Sequence, residues 1–284
     1  ILTVDTQYPS DAQLRGLRSV ELQGADISLC SFVVRQLDKL KSSNLTSLNL
    51  SGMVRLSINE FNSNDLRQMF DSLCSLLKQC TQLQKLNVND FEWFDNVGLL
   101  SIGSDNDAGP APFRRLHLAN TASSIDSVST LNLGSIQSLE LTGCMALSDL
   151  DSIHNLIKKC TSVNKLTLDI GSTGVTTQTL QLLYDHCQHL THLKLVGRPK
   201  RNQTVSEESF IQLFELSALR YISVEFNPLS NDQRFQSLIM DKVKRQRFPL
   251  QYKIPHPSLS QQEMGGINSD LNGAESWWLP CSVL

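Results

Sequence analysis

One spacing governs this chain: apolar-x-x-apolar-x-apolar, met eight times along the sequence. It reads "LRSVEL" from Leu17, "LTSLNL" from Leu45, "LQKLNV" from Leu83 and "FRRLHL" from Phe113. It continues as "IQSLEL" from Ile136, "VNKLTL" from Val163, "LTHLKL" from Leu190 and "LRYISV" from Leu219. The start-to-start distances are 28, 38, 30, 23, 27, 27 and 29 residues. Self-similarity at such a period marks a repeat architecture, in which each unit is one small supersecondary element.

The last two apolar positions of each match alternate, so in a short strand they point the same way, into a core, while the residues between them point outward. A single unit cannot bury its apolar face, but stacked units share one continuous core. Between the matches lie helical patterns: 63–80 carries Leu66, Phe70, Leu73, Leu76 and Leu77 at three- and four-residue spacing, and 147–160 carries Leu150, Ile153, Leu156 and Ile157 behind Ser148 as N-cap. Segments 177–187 and 206–216 read likewise, and 230–246 opens on Ser230 with Gln233 at capping-box spacing. The polar 103–112 stretch with its Gly and Pro residues, and the short interval after the fourth strand, make the helical side irregular near the middle. The expected fold is an α/β solenoid, or horseshoe, over residues 1–250. Its parallel strands line the concave face and its helices the convex face. Residues 251–284, with Pro, Gly and Ser but no period, are expected to form a partly disordered tail.

The spacing is the leucine-rich-repeat signature. Three units add more: "CTQLQKLNV" (80–88), "CTSVNKLTL" (160–168) and "CQHLTHLKL" (187–195) place a cysteine three residues before the first anchor, where Leu14, Leu133 and Leu216 stand in other units. Cys144 and Asn227 fill the place three residues past their strands. The pattern over 12–245 resembles the cysteine-containing leucine-rich repeats of F-box/leucine-rich-repeat proteins. That resemblance implies a substrate-recognition domain of an SCF-type ubiquitin ligase, coupled to a Skp-type adaptor through an N-terminal F-box. The opening "ILTVDTQYPSDAQLRG" already belongs to the first repeat, so the F-box is expected outside this chain. A scaffold or regulator without ligase function, using the same horseshoe for docking, is the alternative.

Composition narrows the classes. With 40% hydrophobic residues and a mean hydropathy of −0.17 the 284-residue chain reads as soluble and globular. A net charge of −3 and a pI near 6.1 argue against general nucleic-acid binding, which rests on neutralising phosphates. Seven cysteines (30, 74, 80, 144, 160, 187, 281) lack the density of a disulfide scaffold and read as reduced thiols in cytosol or nucleus, the cytoplasm being the expected location. The start at Ile1, without Met or signal-peptide pattern, reads as a fragment or processed chain.

No nucleophile elbow, His-Glu-x-x-His helix or phosphate-cradling Gly loop occurs, so no catalytic residue and no cofactor is assigned. His186, Cys187, His189 and His192 superficially suggest zinc. The repeat, however, sends Cys187 inward and His192 outward, so no metal site is assigned. The candidate partner-binding residues are the outward strand positions Lys85, Asn87, Arg115, His117, Glu140, Lys165, His192, Lys194 and Tyr221. Lys85, Arg115, Lys165, His192 and Lys194 make that face basic, which suits an acidic or phosphorylated partner. Trp93 is a further interface candidate. The last four residues, "CSVL", have C-a-a-X form, with Leu at X pointing to geranylgeranylation of Cys281; a chance match gives the same letters. One prenyl chain anchors weakly, so the basic run at 242–247 would supply a second attachment to a membrane surface.

Overall fold

The computed structural model describes residues 2–3, 9–41, 44–52, 63–102, 113–143, 149–171, 174–197, 205–225 and 251–253. Its strands are β1 (Leu2–Thr3), β2 (Ser19–Glu21), β3 (Ser47–Asn49), β4 (Lys85–Asn87), β5 (Arg115–His117), β6 (Ser138–Leu141), β7 (Lys165–Asp169), β8 (His192–Val196), β9 (Tyr221–Glu225) and β10 (Gln251–Lys253). The helices between them are α1 (Asp11–Leu14), α2 (Ile27–Lys39), α3 (Ser63–Gln79), α4 (Asn96–Leu100), α5 (Ile125–Thr130), α6 (Leu150–Lys159), α7 (Thr177–His186) and α8 (Glu207–Leu213). All ten strands form one parallel sheet in which each lies beside its neighbour in sequence. This is an α/β repeat built unit upon unit.

The eight matches of the spacing are β2 to β9. Their inward residues, from Val20 and Leu22 to Ile222 and Val224, are at most 2% exposed and share one core with the helices. Among the described residues the slot three residues before an anchor is buried whether Leu or Cys fills it: Leu14, Cys80, Leu133, Cys160, Cys187 and Leu216. Burying strand side chains, anchors and slot residues of successive units in one shared core is what stacks the units, since no unit has a core of its own. Just ahead of each strand the backbone adds a ladder: the amide of Gln84 donates to Thr46 O at 2.9 Å, Arg114 to Gln84 O at 2.8 Å, and so on to Arg220 and Thr191 O at 2.8 Å.

The helices follow the apolar spacing. In α2, Cys30, Val33, Val34 and Leu37 fall on one face and are buried, and Asp26 caps the first turn by accepting from the Ser28 amide at 2.6 Å. In α6, Ile153, Leu156, Ile157 and Cys160 repeat that spacing. Its cap is Asp149, which accepts from the Ser152 amide at 2.7 Å, one residue after the expected cap Ser148, which lies outside the described residues. The unit after β4 does not pass straight into loop, since the short α4 comes first, and the next unit holds the six-residue α5.

Two strands lie outside the eight matches. β1 pairs Leu2 with Val20, and β10 pairs Tyr252 with Ile222. The last strand of the sheet, β10, is formed by Gln251–Lys253. The expected helix 230–246, the 103–112 loop, Cys144, Asn227, the basic run 242–247 and the tail with Cys281 lie outside the described residues. Among the described residues no helix is long and apolar enough to cross a membrane.

Candidate functional site

Parallel in-register pairing lines up the outward side chains in two rows across the strands. The first row runs Ser19, Ser47, Lys85, Arg115, Ser138, Lys165, His192, Tyr221. The second runs Glu21, Asn49, Asn87, His117, Glu140, Thr167, Lys194, Ser223. All nine expected partner-binding residues stand in these rows. Lys85, Arg115, Lys165 and His192 are exposed, while Asn87, His117, Glu140, Lys194 and Tyr221 are half-buried. Ser223 is buried, at 1% exposure, so the second row closes at β9.

The middle of the face is shaped. A shallow depression of about 280 Å³ lies over β5 to β9. Six of the nine line it: His117, Glu140, Lys165, His192, Lys194 and Tyr221. Lys85, Asn87 and Arg115 lie outside it. Ser138 and Thr167 belong to the lining, and Leu139 and Leu166 form part of the floor.

Its polar groups are organised around Glu140. Oε2 of Glu140 accepts from Asn89 Nδ2 at 3.1 Å and faces His117 Nδ1 at 3.6 Å, beyond hydrogen-bond range but close enough for charge attraction. On the other side of the ring, His117 Nε2 meets Ser138 Oγ at 2.9 Å. A carboxylate beside Nδ1 favours the proton there, so the Ser138 hydroxyl donates to Nε2. Burial holds the His117 imidazole below its ordinary pKa; Glu140 pulls it up, and Arg115 and Lys165 push it down. Asn89 also accepts from the Ala119 amide at 2.8 Å. It stands two residues past the end of β4, and the string "NVND" carried that signal, since Asn is suited to satisfying turn amides.

At the other end, the His192 ring stacks on Tyr221, with centroids 6.0 Å apart and planes 30° apart. Burial and then Lys165 lower the His192 pKa. Trp93 is 44% exposed and edge-on to Phe91, and Val97 and Leu100 of α4 are also exposed.

The four residues that superficially suggested zinc part company. Cys187 is fully buried, with its thiol directed at the carbonyls of Cys160 and Ile157, while His192 sits on the sheet face and His186 ends α7. Among the described residues no group of three His, Cys, Asp or Glu side chains converges as a metal site would require. No protein-family model and no curated protein matches the chain.

Proposed function

We propose that the chain is a leucine-rich-repeat solenoid, a horseshoe whose strands line the concave side, and that it binds a protein partner there. The observation that carries this reading is the alignment of the outward residues of successive strands into two rows with a depression between them. Such a surface is broad and shallow, with charged, hydroxyl and aromatic groups in fixed register, as recognition of a polypeptide requires. A photo-crosslinking residue at Thr167 of the full-length protein should trap a partner that the same residue at Lys158, on α6, does not. Equal trapping at both positions would sink the reading.

The cysteine-bearing subtype of the repeat supports a narrower assignment, the substrate receptor of an SCF-type ubiquitin ligase, with a Skp-type adaptor bound through an F-box elsewhere in the full protein. The full-length protein should then bind purified adaptor stoichiometrically; failure to bind removes the ligase role and leaves a docking scaffold. The C-a-a-X form supports a geranylgeranyl chain on Cys281, holding a cytoplasmic protein at a membrane surface. Wild type should partition to membranes and Cys281→Ser should not.

A further inference from the structure

The two carboxylates of the rows are occupied within the molecule. Glu21 Oε1 accepts from the hydroxyls of Ser19 and Ser47, both at 3.1 Å, and Glu140 accepts from Asn89 and faces His117. The cations of the first row are not so occupied. Among the described residues no carboxylate lies within ion-pair distance of Lys85, Arg115 or Lys165, and all three are exposed. In a chain of net charge −3 this face therefore keeps the carboxylates of its rows paired within the molecule and leaves the first-row cations exposed.

We propose that the first row docks an extended, carboxylate-rich segment of the partner protein, laid across the strands from Lys85 to the His192–Tyr221 stack. The inference rests on the protein-binding reading above and names the chemistry of the partner. The cations stand one to a strand. Lys85 and Arg115 are neighbours about 5 Å apart, and Arg115 and Lys165 are two strands, about 10 Å, apart. On a segment in the extended polyproline-II conformation, acidic side chains three residues apart share one face and stand about 9 Å apart, so they meet Arg115 and Lys165 in turn. Arg115 offers a carboxylate a bidentate fork, and Lys165 offers a point charge. A phosphoryl group concentrates nearly two charges at one spot and is best held by converging cations. A row of single cations instead fits a row of single anions. Ser138 leaves a neutral step between Arg115 and Lys165, and Glu140 beside it disfavours an acid at that step. The stacked His192 and Tyr221 close the row with a flat surface for an apolar residue or the segment's backbone.

The test is fluorescence anisotropy with the whole chain and synthetic peptides of about twelve residues carrying Glu at every third position, a length that spans the row. The Glu peptide should bind, and its affinity should fall as salt rises from about 50 to about 300 mM. The same peptide with Gln for Glu should not bind. The double reversal Arg115→Glu with Lys165→Glu should weaken the Glu peptide by about tenfold or more. Lys158→Glu on the helical side should leave it unchanged, and matching melting curves will show that the exposed reversals fold. Equal binding of the Glu and Gln peptides, indifference to the double reversal, or a preference for a phosphoserine peptide or an oligonucleotide overturns the proposal. If that happens while Thr167 still crosslinks a partner, the face binds protein by other chemistry; if Thr167 traps nothing, the protein-binding reading fails as well.

Discussion

The thiol of Cys187 lies 3.6 Å from the carbonyl oxygen of Cys160, the residue that fills the same slot one unit earlier, and 3.9 Å from that of Ile157. Each of the two cysteines closes a helix, so the cysteine slot links the end of one helix to the end of the next. A thiol suits the place because it is small and apolar enough for the core and can still add a weak donor to carbonyls that already accept the Cys160 and Val163 amides.

These thiols should be inert in the native protein. Burial pushes Cys30, Cys80 and Cys160 up to about 12 and Cys187 further still. The thiolate is the nucleophile, so a disulfide-exchange reagent at pH 8 should leave these four unlabelled until denaturant is added. The sign of the pH dependence follows. The unfolded thiols release protons near their ordinary value of 9.0, the folded ones only near 12, so stability is intact below pH 9 and falls as pH rises from 9 toward 12. Urea melts of wild type and of Cys160→Ala with Cys187→Ala across that range will show it, the double variant losing less with rising pH.

Three histidines set the acid side. Burial lowers His117, His154 and His192 below the ordinary 6.5. The unfolded chain then takes up protons that the folded chain refuses. Stability is therefore present above pH 6.5 and declines as pH falls below it. Glu140→Gln removes the one group raising His117, so that ring should titrate lower still by NMR, and the acid decline should steepen. A His117 pKa unchanged or raised in that variant would mean Glu140 does not act on the ring.

The strands, the alternation and the buried cysteine slot were legible because each is set by a period in apolar residues. The turn that follows each strand was harder to see, because its signal is conformational. The fifth residue after the strand start adopts a left-handed backbone at Gly24, Gly52, Asp90, Asn120 and Gly143, with φ of 69°, 62°, 65°, 55° and 62°. Glycine, Asn and Asp tolerate that region best, so the shared property is a backbone preference spread over three residue types. Helix α2 carries its apolar face, Cys30, Val33, Val34 and Leu37, at helical spacing between two matches of the repeat. The nine candidate residues came from alternation alone. What alternation could not supply was lateral contact: which of them converge in the depression, and that Asn89 holds Glu140 two units and 51 residues away, depends on how the units stack.

The unit after β4 carries its own test of packing. A methyl group on Gly98 would stand 2.7 Å from a ring carbon of Phe94, which is fully buried, edge-on to Phe70 at 6.5 Å and tilted against Phe91 at 6.4 Å. Gly98→Ala should gain about 1 kcal/mol in helix propensity. It should nonetheless lose about 1–3 kcal/mol to overpacking, because three rings cannot move independently. Phe94→Leu relieves the clash, so the double variant should cost less than the two singles summed, measured by urea unfolding in a double-mutant cycle. Additive costs would mean the ring yields freely.

The last prediction concerns which nitrogen of His192 carries its proton. The Thr191 hydroxyl has one hydrogen, and it donates that hydrogen to the carbonyl of Asn164 at 2.8 Å. His192 Nδ1 lies 2.9 Å from the same oxygen, so the ring must be the donor in that contact. The neutral ring is therefore protonated at Nδ1, and Nε2 carries a lone pair. Nε2 can donate to an anion on the first row only after taking up a second proton. Lys165 and burial resist that proton, and a bound carboxylate favours it. Binding of the Glu peptide should consequently tighten as pH falls from about 8 to about 6, a range in which Glu itself, at about 4.3, stays ionised. Thr191→Val removes the acceptor and frees Nδ1. The nitrogen shifts of His192 should move toward the Nε2–H tautomer, and the pH dependence of peptide binding should flatten. If the shifts stay unchanged in Thr191→Val, the threonine does not set the tautomer, and the pH dependence must then come from another group.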